Sequence, residues 1–438
     1  MRKIALLFAS GLISVSALFA QVQKKGFTAE SAAGVGMLSH RLQMASELID
    51  RYVDEGKLPG GVFLAARYGQ IVFQKTAGYR SDSLRAPYRE DDIFRIASMT
   101  KAVTTIAILQ LYEDGLLGID DPVHQYIPEF RNQKVLESFN PVDSSYTTVD
   151  AKRPVTIRHL LTHTSGISYG EFSPGSNMAI YQKYDLLNRG LNHASESNAA
   201  FMARLAAAPL MFHPGEQYAY GLNMDVLGRI VEVVSKKNLQ AYFKSRIFDP
   251  LGMNDTWFYL PADRHHRLVP VYTVNQNGEI IQASSDDAPG SDINFPIQQE
   301  HDFYAGGGGL VSTAYDYALF VQALLNNGNL NGVRILGRKA IEMMTSDQMI
   351  ALNRLGKGMS NRPGESMGFG LALVLEDGQA IGSNSPGTYA WSGYFNTRFF
   401  VDPAEGLIFV GMTQIAPFPY GSFWNRLYAI LYSAIEEY

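Results

Sequence analysis

The sequence of 438 residues contains no cysteine. Disulfide bridges, cysteine metal sites, thiol nucleophiles and lipid attachment through cysteine are therefore excluded. Charge is also scarce, because only 18% of the residues are charged, and 42 acidic residues outnumber 37 basic ones to give a net charge of −5. A chain without a basic excess cannot neutralise many phosphates, so we expect no nucleic-acid partner.

The low hydrophobicity that marks disordered chains is missing too. Hydrophobic residues make up 46% of the sequence and aromatic residues 12%. A chain of this composition buries enough apolar surface to fold. Its length allows two or three domains with a sizeable core.

A mainly apolar run occupies the N-terminus. Arg2 and Lys3 precede the run 4–20, an arrangement typical of a secretory signal peptide. We predict a signal peptide over residues 1–20 with cleavage after Ala20, and cleavage after Ala17 is the alternative. An uncleaved membrane anchor is a further interpretation, although the run is slightly shorter than the roughly 18 residues of a spanning helix. The expected location is secreted or periplasmic, with no membrane span after signal removal.

Apolar runs bounded by turn residues predict β-strands near both ends of the remaining chain. The first two runs flank a glycine-containing turn, which is typical of a β-hairpin. We expect these strands to form one antiparallel sheet, with a helix after residue 37 and another over 423–437 packed on it. The five predicted strands lie at 60–66, 71–75, 368–375, 397–401 and 407–412.

Helical spacing of apolar residues dominates the sequence between the two strand groups. The α/β fold expected from this order is of the α+β type: an antiparallel β-sheet flanked by helices, with an inserted, mainly helical domain. The predicted sheet domain comprises 21–100 and 301–438, and the helical domain 101–300. Residues 260–300 are polar and are predicted to form a long loop. The predicted helices lie at 99–115, 197–208, 223–237 and 314–326.

Ser98 and Lys101 form an S-x-x-K motif at the start of a predicted helix. Residues three apart lie on the same helix face, so the two side chains can meet. A serine is a poor nucleophile until a base removes its proton. A lysine can be that base when burial or a cationic neighbour lowers its pKa. The motif alone leaves a second interpretation open, in which the serine caps the helix and the lysine is a surface residue.

Further segments follow in an order that resembles one superfamily of serine hydrolases. That superfamily contains class C β-lactamases, penicillin-binding proteins and family VIII carboxylesterases. The resemblance covers most of the chain and implies a β-lactamase/transpeptidase-like fold and an acyl-enzyme on Ser98. The matching segments are 93–101, 158–166 (RHLLTHTSG), 213–228 (HPGEQYAYGLNMDVLG), 303–314 (FYAGGGGLVSTA) and 391–403 (WSGYFNTRFFVDP).

The resemblance also implies roles for individual residues. Tyr220 takes the place of the family's catalytic tyrosine, whose phenol carries the serine proton to the leaving group. Tyr218 is the alternative for that role. The backbone N–H groups of Ser98 and Tyr394 are expected to hold the oxyanion of the tetrahedral intermediate.

Two departures from the family pattern bear on the substrate. β-Lactamases and penicillin-binding proteins carry an Asn two residues after the motif's Tyr or Ser, whereas here that position is Leu222 and Asn223 falls one place late. The K-T-G motif of the same enzymes is replaced by Trp391-Ser392-Gly393, which resembles the W-x-G form of family VIII esterases. We expect Trp391 and Gly393 to line the substrate site. Losing the lysine removes a cation suited to a substrate carboxylate, so neutral esters are favoured.

Two other motifs suggest different chemistry but lack the context for it. Residues 166–170 fit the G-x-S-x-G nucleophile elbow around Ser168, yet a helical pattern precedes it where that elbow requires a strand. The glycine run 306–309 has no G-K-[ST] after it, so it is not a phosphate loop. We expect this run to let the backbone approach the floor of the active site closely.

No histidine is assigned to the reaction. The pair His265-His266 lacks an H-E-x-x-H helix and an evident third ligand. His159 and His163 are predicted to be structural. We expect neither a metal ion nor a cofactor, since a serine–lysine–tyrosine mechanism needs none.

These observations predict a secreted serine hydrolase that acts on a small-molecule ester or amide through a Ser98 acyl-enzyme. A carboxylesterase for short-chain or neutral esters is favoured. The alternatives are a β-lactamase, a D-amino-acid peptidase or a transacylase. The alternative that is not an enzyme is a non-catalytic protein that senses cell-wall fragments or β-lactams.

Overall fold

The computed structural model describes residues 26–28, 31–81, 85–173, 175–187, 196–285, 292–297, 302–359, 364–377 and 382–436. The predicted signal peptide, residues 1–20, lies outside this part of the chain. The strands are β1 (Gly60–Arg67), β2 (Gln70–Ser81), β3 (Ala86–Pro87), β4 (Phe94–Arg95), β5 (Lys134–Phe139), β6 (Tyr146–Asp150), β7 (Tyr272–Val274), β8 (Ile280–Gln282), β9 (Val311–Ser312), β10 (Asn329–Leu330), β11 (Val333–Arg334), β12 (Glu365–Met367), β13 (Ala372–Val374), β14 (Tyr389–Ser392), β15 (Arg398–Asp402) and β16 (Leu407–Met412).

Helices are the main regular elements between β4 and β9, and helices also flank the sheet. A π-helical turn, Lys244–Phe248, joins α7 to α8. The helices are α1 (Ser39–Asp54), α2 (Thr100–Glu113), α3 (Ile157–Leu161), α4 (Ser176–Lys183), α5 (Asn198–Ala207), α6 (Asn223–Ser235), α7 (Leu239–Phe243), α8 (Asp249–Leu251), α9 (Ala314–Leu325), α10 (Arg338–Met344), α11 (Ile350–Arg354) and α12 (Ser422–Ser433).

The main sheet is antiparallel and joins the two ends of the chain. Its strand order is β12-β13-β14-β15-β16-β1-β2-β3, and β1 pairs with β16 so that Leu64 lies opposite Val410. Neighbouring residues of a strand point to opposite faces. Every residue of β1 is buried, because helices cover the sheet on both sides.

Each face of the sheet has its own hydrophobic core. Phe63 and Phe409 point to the outer face, where α1 and α12 cover them as the sequence predicts. Val62 and Val410 point to the inner face, where α9 lies on β16, β15 and β1. The larger core continues from this inner face into α2 and the helical region. The predicted fold, an antiparallel sheet flanked by helices, is confirmed.

The chain leaves and re-enters the sheet region at one place. Strand β4 leads into the helical region, β9 leads out of it, and the two pair with each other, Phe94 opposite Ser312. This pairing keeps the residues before α2 beside those before α9. The domain boundaries predicted at residues 100 and 300 stay a prediction.

Several elements differ from the sequence prediction. Only part of the strand predicted over 368–375 is a strand, β13, and residues 368–371 form the turn that joins it to β12, with a φ of +69° at Gly370. The predicted loop 260–300 contains a 3₁₀ helix, Ala262–Arg267, and the β7–β8 hairpin. Strand β14 and the β5–β6 hairpin were not predicted. In the described part of the chain, no helix is long and apolar enough to cross a membrane.

Candidate active site

Ser98 lies where β4 turns into α2. It belongs to a short 3₁₀ turn, Ala97–Met99, directly before the helix. Ala97 has a φ of +43°, a left-handed conformation that is uncommon for residues other than glycine and is frequent at functional sites. The sharp turn leaves Ser98 half-buried between residues that are buried. Its hydroxyl is therefore presented at the start of the helix.

Two side chains contact the Ser98 hydroxyl. Lys101 Nζ lies 3.1 Å from Ser98 Oγ, across one turn of helix as the motif spacing predicts. The Tyr220 hydroxyl lies 2.7 Å from the same oxygen. Lys101 Nζ also lies 4.8 Å from the centre of the Tyr220 ring. The structure thus brings Ser98, Lys101 and Tyr220 into one cluster.

Lys101 is completely buried. Besides Ser98, its amine contacts the Gly307 carbonyl at 2.6 Å and the Tyr169 hydroxyl at 3.3 Å. The neighbouring Thr104 hydroxyl donates to the Gly306 carbonyl at 2.7 Å. Helix α2 is thereby attached to the glycine run 306–309. The predicted close approach of that run to the floor of the site is what the structure shows.

A buried carboxyl group lies behind the lysine. Asp225 on α6 accepts the Gly307 N–H at 3.1 Å through Oδ1. Its Oδ2 is buried, and the described residues offer it no hydrogen-bond partner. Burial raises the pKa of Asp225, while the positive charge of Lys101 lowers it. Burial, and then the charge of Asp225, hold the pKa of the Tyr169 phenol well above its usual value.

The segment that carries Tyr220 is bound to the segment 163–169. Ala219 N–H donates to the His163 carbonyl at 2.9 Å, and Tyr169 N–H donates to the Tyr220 carbonyl at 3.2 Å. Tyr218, the alternative to Tyr220, packs edge-on against the His163 ring at 6.0 Å. None of the contacts described for Tyr218 reaches Ser98. The geometry therefore favours Tyr220 over Tyr218 as the phenol that acts on the serine.

Strand β14 and the turn after it form one wall. The Trp391 ring lies 5.8 Å from the Tyr220 ring. A Cβ atom on Gly393 would come within 2.4 Å of the Ile96 carbonyl, so only glycine allows this wall to lie against the segment before Ser98. The Gly393 N–H donates to the Thr397 carbonyl at 2.8 Å.

Aromatic side chains continue the wall towards solvent. The Phe172 ring lies 5.5 Å from the Tyr169 ring and 6.2 Å from the Tyr394 ring. Phe172 is 53% exposed, while Tyr394 is half-buried. Burial raises the pKa of Tyr394, so its side chain is neutral at neutral pH. The surface beside Ser98 is consequently built of aromatic side chains, and the charge of Glu171 lies near enough to raise the pKa of Tyr169 and Tyr394 further. The predicted oxyanion role of the Ser98 and Tyr394 N–H groups stays a prediction.

Comparison with known proteins places this geometry in a family. The family described as Beta-lactamase matches residues 45–432. The chain belongs to the beta-lactamase family. The superfamily resemblance found in the sequence is thereby confirmed, and the chain is a serine hydrolase of the beta-lactamase fold.

Relatives of this beta-lactamase-family protein include esterases. Esterase EstB of Burkholderia gladioli is 31% identical over 383 residues, which is 84% of this chain and 89% of EstB. Lovastatin esterase of Penicillium rubens is 30% identical over 381 residues, 83% of this chain and 90% of that enzyme. The solved structure of EstCE1, a hydrolase with promiscuous acyltransferase activity, has a TM-score of 0.71 and 25% identity, covering 90% of this chain and 98% of EstCE1.

The G-x-S-x-G motif around Ser168 does not form a second catalytic site among the described residues. Ser168 is 1% exposed, and its hydroxyl contacts Ser173 in the following loop and Asn177 in the first turn of α4. Helix α3 lies shortly before it, and no strand directly precedes it in the described chain. Ser168 is therefore a structural residue.

The histidines also have structural contacts. His159 forms a reciprocal cap with Thr156 at the start of α3, and burial lowers its pKa to about 4. His265 Nε2 lies 2.7 Å from the Leu260 carbonyl. Across the described ranges, no group of three or more His, Asp or Glu side chains could hold a metal ion.

Sequence reasoning missed three groups that surround Lys101. They are the Tyr169 hydroxyl, the Gly307 carbonyl and the Asp225 carboxyl. Asp225 had a detectable signal, since it is an acidic residue in the first turn of a predicted helix whose following positions are mainly apolar. For Gly307, the glycine run indicated a close backbone approach, but nothing in the sequence showed which carbonyl contacts the lysine, because only the folded chain directs one there.

Proposed function

We propose that this protein is a carboxylesterase that cleaves neutral esters through a Ser98 acyl-enzyme. One observation carries the proposal: Ser98 Oγ lies within hydrogen-bond distance of both Lys101 Nζ and the Tyr220 hydroxyl. A nucleophile that contacts a base and a second proton carrier is the arrangement acyl transfer requires. The esterase relatives support this direction.

The reaction has two halves. Ser98 Oγ attacks the ester carbonyl carbon while its proton passes to the Lys101–Tyr220 pair. The carbon–oxygen bond to the alcohol then breaks, and the alcohol departs with that proton. In the second half, water attacks the acyl-enzyme and gives a proton to the same pair. The bond to Ser98 Oγ then breaks, this oxygen takes that proton back from the pair, and the carboxylic acid is released. Two backbone N–H groups, those of Ser98 and Tyr394, hold the oxyanion in both halves.

The walls of the cleft support a neutral substrate. Trp391 stands where related penicillin-recognising enzymes place a lysine, and Phe172 exposes its ring beside Tyr169 and Tyr394. Leu222 is 1% exposed and Asn223 is fully buried. Neither position presents an amide to a substrate, as the Asn of β-lactamases does. Apolar acyl groups therefore suit this cleft better than β-lactams or peptides.

The experiment compares purified residues 21–438 with the Ser98→Ala variant. Both receive p-nitrophenyl esters from acetate to octanoate and one chromogenic cephalosporin. We expect Ser98-dependent ester cleavage and little cephalosporin turnover. Full ester cleavage by Ser98→Ala would overturn the proposal. Faster cephalosporin turnover would move the function to β-lactam chemistry, and a Ser98 adduct that persists for hours would favour the sensor.

Acyl transfer is the second candidate. EstCE1 is described as a hydrolase with promiscuous acyltransferase activity, and the apolar wall of Trp391 and Phe172 offers an alcohol a surface that competes with water. Adding butanol to the ester assay and measuring butyl ester by mass spectrometry tests this activity. A product that is free acid alone would limit the protein to hydrolysis.

Export through the predicted signal peptide is the remaining part of the proposal. The sequence of residues 1–20 supports it, with Arg2 and Lys3 before an apolar run. N-terminal sequencing of protein recovered from the periplasm and the medium of an expressing bacterium tests it. A chain that begins at Gln21 is expected, and an intact Met1 in the cytoplasm would contradict export.

A further inference from the structure

A buried hydrogen-bond network lies beneath Tyr220. The Asn223 amide group, Nδ2, lies 2.8 Å from His163 Nδ1 and 3.4 Å from the Ile167 carbonyl. Asn223 Oδ1 accepts the Ser165 hydroxyl at 2.5 Å. Asn223, His163 and Ser165 are all completely buried. The network therefore exchanges no hydrogen bonds with substrate or bulk water.

The network determines which nitrogen of His163 carries the proton. The Ile167 carbonyl can only accept, so the Asn223 atom facing it is the NH₂ group. That group also faces His163 Nδ1, which must then be the unprotonated nitrogen that accepts. The proton of the neutral ring resides on Nε2, and this atom is buried without a hydrogen-bond partner among the described residues.

The His163 ring lies directly against the phenol that contacts Ser98. Its centre is 5.0 Å from that of the Tyr220 ring. The His163 backbone has a φ of +53°, and its carbonyl holds the N–H of Ala219, the residue before Tyr220. Side chain and backbone of His163 thus contact the same short segment. A displacement of the imidazole moves the phenol.

Protonation of His163 would place a second positive charge beside that of Lys101, in a region that is completely buried. The titratable groups around its ring are Tyr218 and Tyr220, from the segment before α6, and Lys101 from α2. Burial, and then the positive charge of Lys101, hold the pKa of His163 well below its usual value. The structure therefore keeps the imidazole neutral in the presence of the lysine.

We propose that Asn223 fixes His163 in its neutral, Nε2-protonated form, and that this ring is a positioning residue for the Tyr220 phenol. The proposal rests on the proposed function, because Tyr220 is assigned there as a proton carrier. Asn223 lies one place beyond the position of the substrate-binding Asn of β-lactamases. The proposal assigns it a role within the protein instead, which is to fix the protonation of His163. Ester hydrolysis then depends on a buried Asn–His pair that no substrate touches.

The test removes the donor and follows activity against pH. In Asn223→Ala, His163 Nδ1 loses its partner and gains a space that admits water, so burial lowers the pKa of the ring less and the ring can take a proton at acidic pH. We expect kcat on p-nitrophenyl butyrate to fall at least about tenfold at acidic pH through misplacement of the phenol. KM is expected to stay constant, and a new acidic limb appears in the pH profile. The double variant N223A/H163F lacks that limb.

Asn198→Ala is the matched control. Asn198 is another buried asparagine, and its side chain has three hydrogen bonds, to Glu232 and to both backbone groups of Tyr304. It should lose a comparable amount of thermal stability without a new acidic limb. If Asn223→Ala and Asn198→Ala share one pH profile, the network is merely structural and the proposal is overturned.

A spectroscopic measurement tests the tautomer without any catalysis. The protein contains nine histidines, which selective ¹⁵N labelling makes visible, and the His163→Phe variant assigns the resonance. We expect Nδ1 of His163 to be unprotonated and Nε2 protonated across neutral pH. A protonated Nδ1 would overturn the proposal. Ester cleavage that survives Ser98→Ala would overturn the proposed function instead, and the tautomer result would stand.

Discussion

The amine of Lys101 has three oxygen neighbours: Ser98 Oγ, the Tyr169 hydroxyl and the Gly307 carbonyl. An ammonium group has three hydrogens, so this set satisfies the protonated form completely. In the neutral form, the amine can accept the Ser98 proton while it still donates to the Gly307 carbonyl. Each of the two protonation states needed for acyl transfer therefore finds its hydrogen bonds in place.

Tyr220 and Tyr218 are neighbouring phenols whose substitution by phenylalanine provides a test and its matched control. Tyr220→Phe removes the hydroxyl that lies 2.7 Å from Ser98 Oγ. We expect kcat on p-nitrophenyl butyrate to fall about 10²–10⁴-fold, the usual contribution of a positioned proton carrier. Tyr218→Phe should change kcat by less than about threefold, since its hydroxyl has no described contact with the serine. Equal losses in the two variants would contradict the assignment of Tyr220.

Gly307 offers a second prediction about single residues. A Cβ atom there would lie 2.6 Å from Asp225 Oδ2 and 3.2 Å from the Tyr169 hydroxyl. In Gly307→Ala, the Asp225 carboxyl group or the peptide whose carbonyl contacts Lys101 must shift. We expect a loss of kcat of about 10²-fold from the disturbed surroundings of the base. Gly421→Ala is the control, because nothing lies within 4 Å of the added atom. Unchanged activity in Gly307→Ala would show that the carbonyl is not needed.

At the scale of elements, the first turn of α9 forms hydrogen bonds that support the strand pair β4–β9, which leads to Ser98. Asp316 in its first turn accepts the Asp255 N–H at 2.7 Å and the Thr256 hydroxyl at 3.0 Å. The next residue, Trp257, pairs with β9 through Val311. Because β9 pairs with β4, which leads to Ser98, one buried carboxyl group supports the strand pair behind the active site.

This carboxyl group should make stability depend on pH. Burial raises the pKa of Asp316 to about 7 from an ordinary value of 3.8. Between these values the folded protein holds a proton that the unfolded chain has lost, so the free energy of unfolding decreases as the pH rises. We expect Asp316→Asn to lack this decrease. Its free energy of unfolding, relative to that of the wild type, should therefore rise between pH 4 and about 7.

Urea unfolding at closely spaced pH values measures the effect. The exposed Asp263→Asn variant controls for the loss of one carboxyl group. Its unfolding free energy should follow that of the wild type at every pH. Parallel curves for Asp316→Asn and the wild type would mean that Asp316 ionises in the folded protein as readily as in the unfolded chain.

At the scale of the whole molecule, the sheet separates the outer hydrophobic core from the active site. The outer core, built by α1, α12 and the outer face of the sheet, contains none of the groups around Ser98. The inner core includes α2, α6 and Tyr169, and it borders the active site. Defects in the two cores should therefore have different consequences for catalysis.

Leu427→Ala on α12 tests this separation. Leu427 is fully buried in the outer core, and its truncation should cost about 2–5 kcal/mol of unfolding free energy. We expect kcat and KM of the folded enzyme to be unchanged at 25 °C. Leu427→Met keeps the volume and should cost less than about 1.5 kcal/mol. A fall in kcat that parallels the loss of stability would show that the outer core is coupled to the site.

The sequence could predict those features that depend on local pattern. Strands β1, β15 and β16 and helices α2, α5, α6 and α9 lie close to their predicted bounds, since continuous or periodic apolar residues mark each of them in the sequence. Strand β2 begins close to its predicted start but continues to Ser81. Strand β14 was missed because Tyr389-Ala390-Trp391-Ser392 is short and only its pairing with β13 and β15 makes it a strand. The strand predicted over 368–375 is too long at its start, because the turn at Gly370 that ends the pairing with β12 depends on the contacts of the folded chain.

The same division holds for the active site. Sequence alone determined the S-x-x-K pair, because one turn of helix returns Lys101 to Ser98 whatever surrounds it. It also determined the family, through motifs in a fixed order. Only the tertiary structure decided which phenol reaches the serine, because Tyr218 and Tyr220 differ by two residues in sequence but face different neighbours. It alone decided that Gly307, Tyr169 and Asp225 enclose Lys101, since these residues lie far apart in the sequence and meet only when α6 and the glycine run pack against α2.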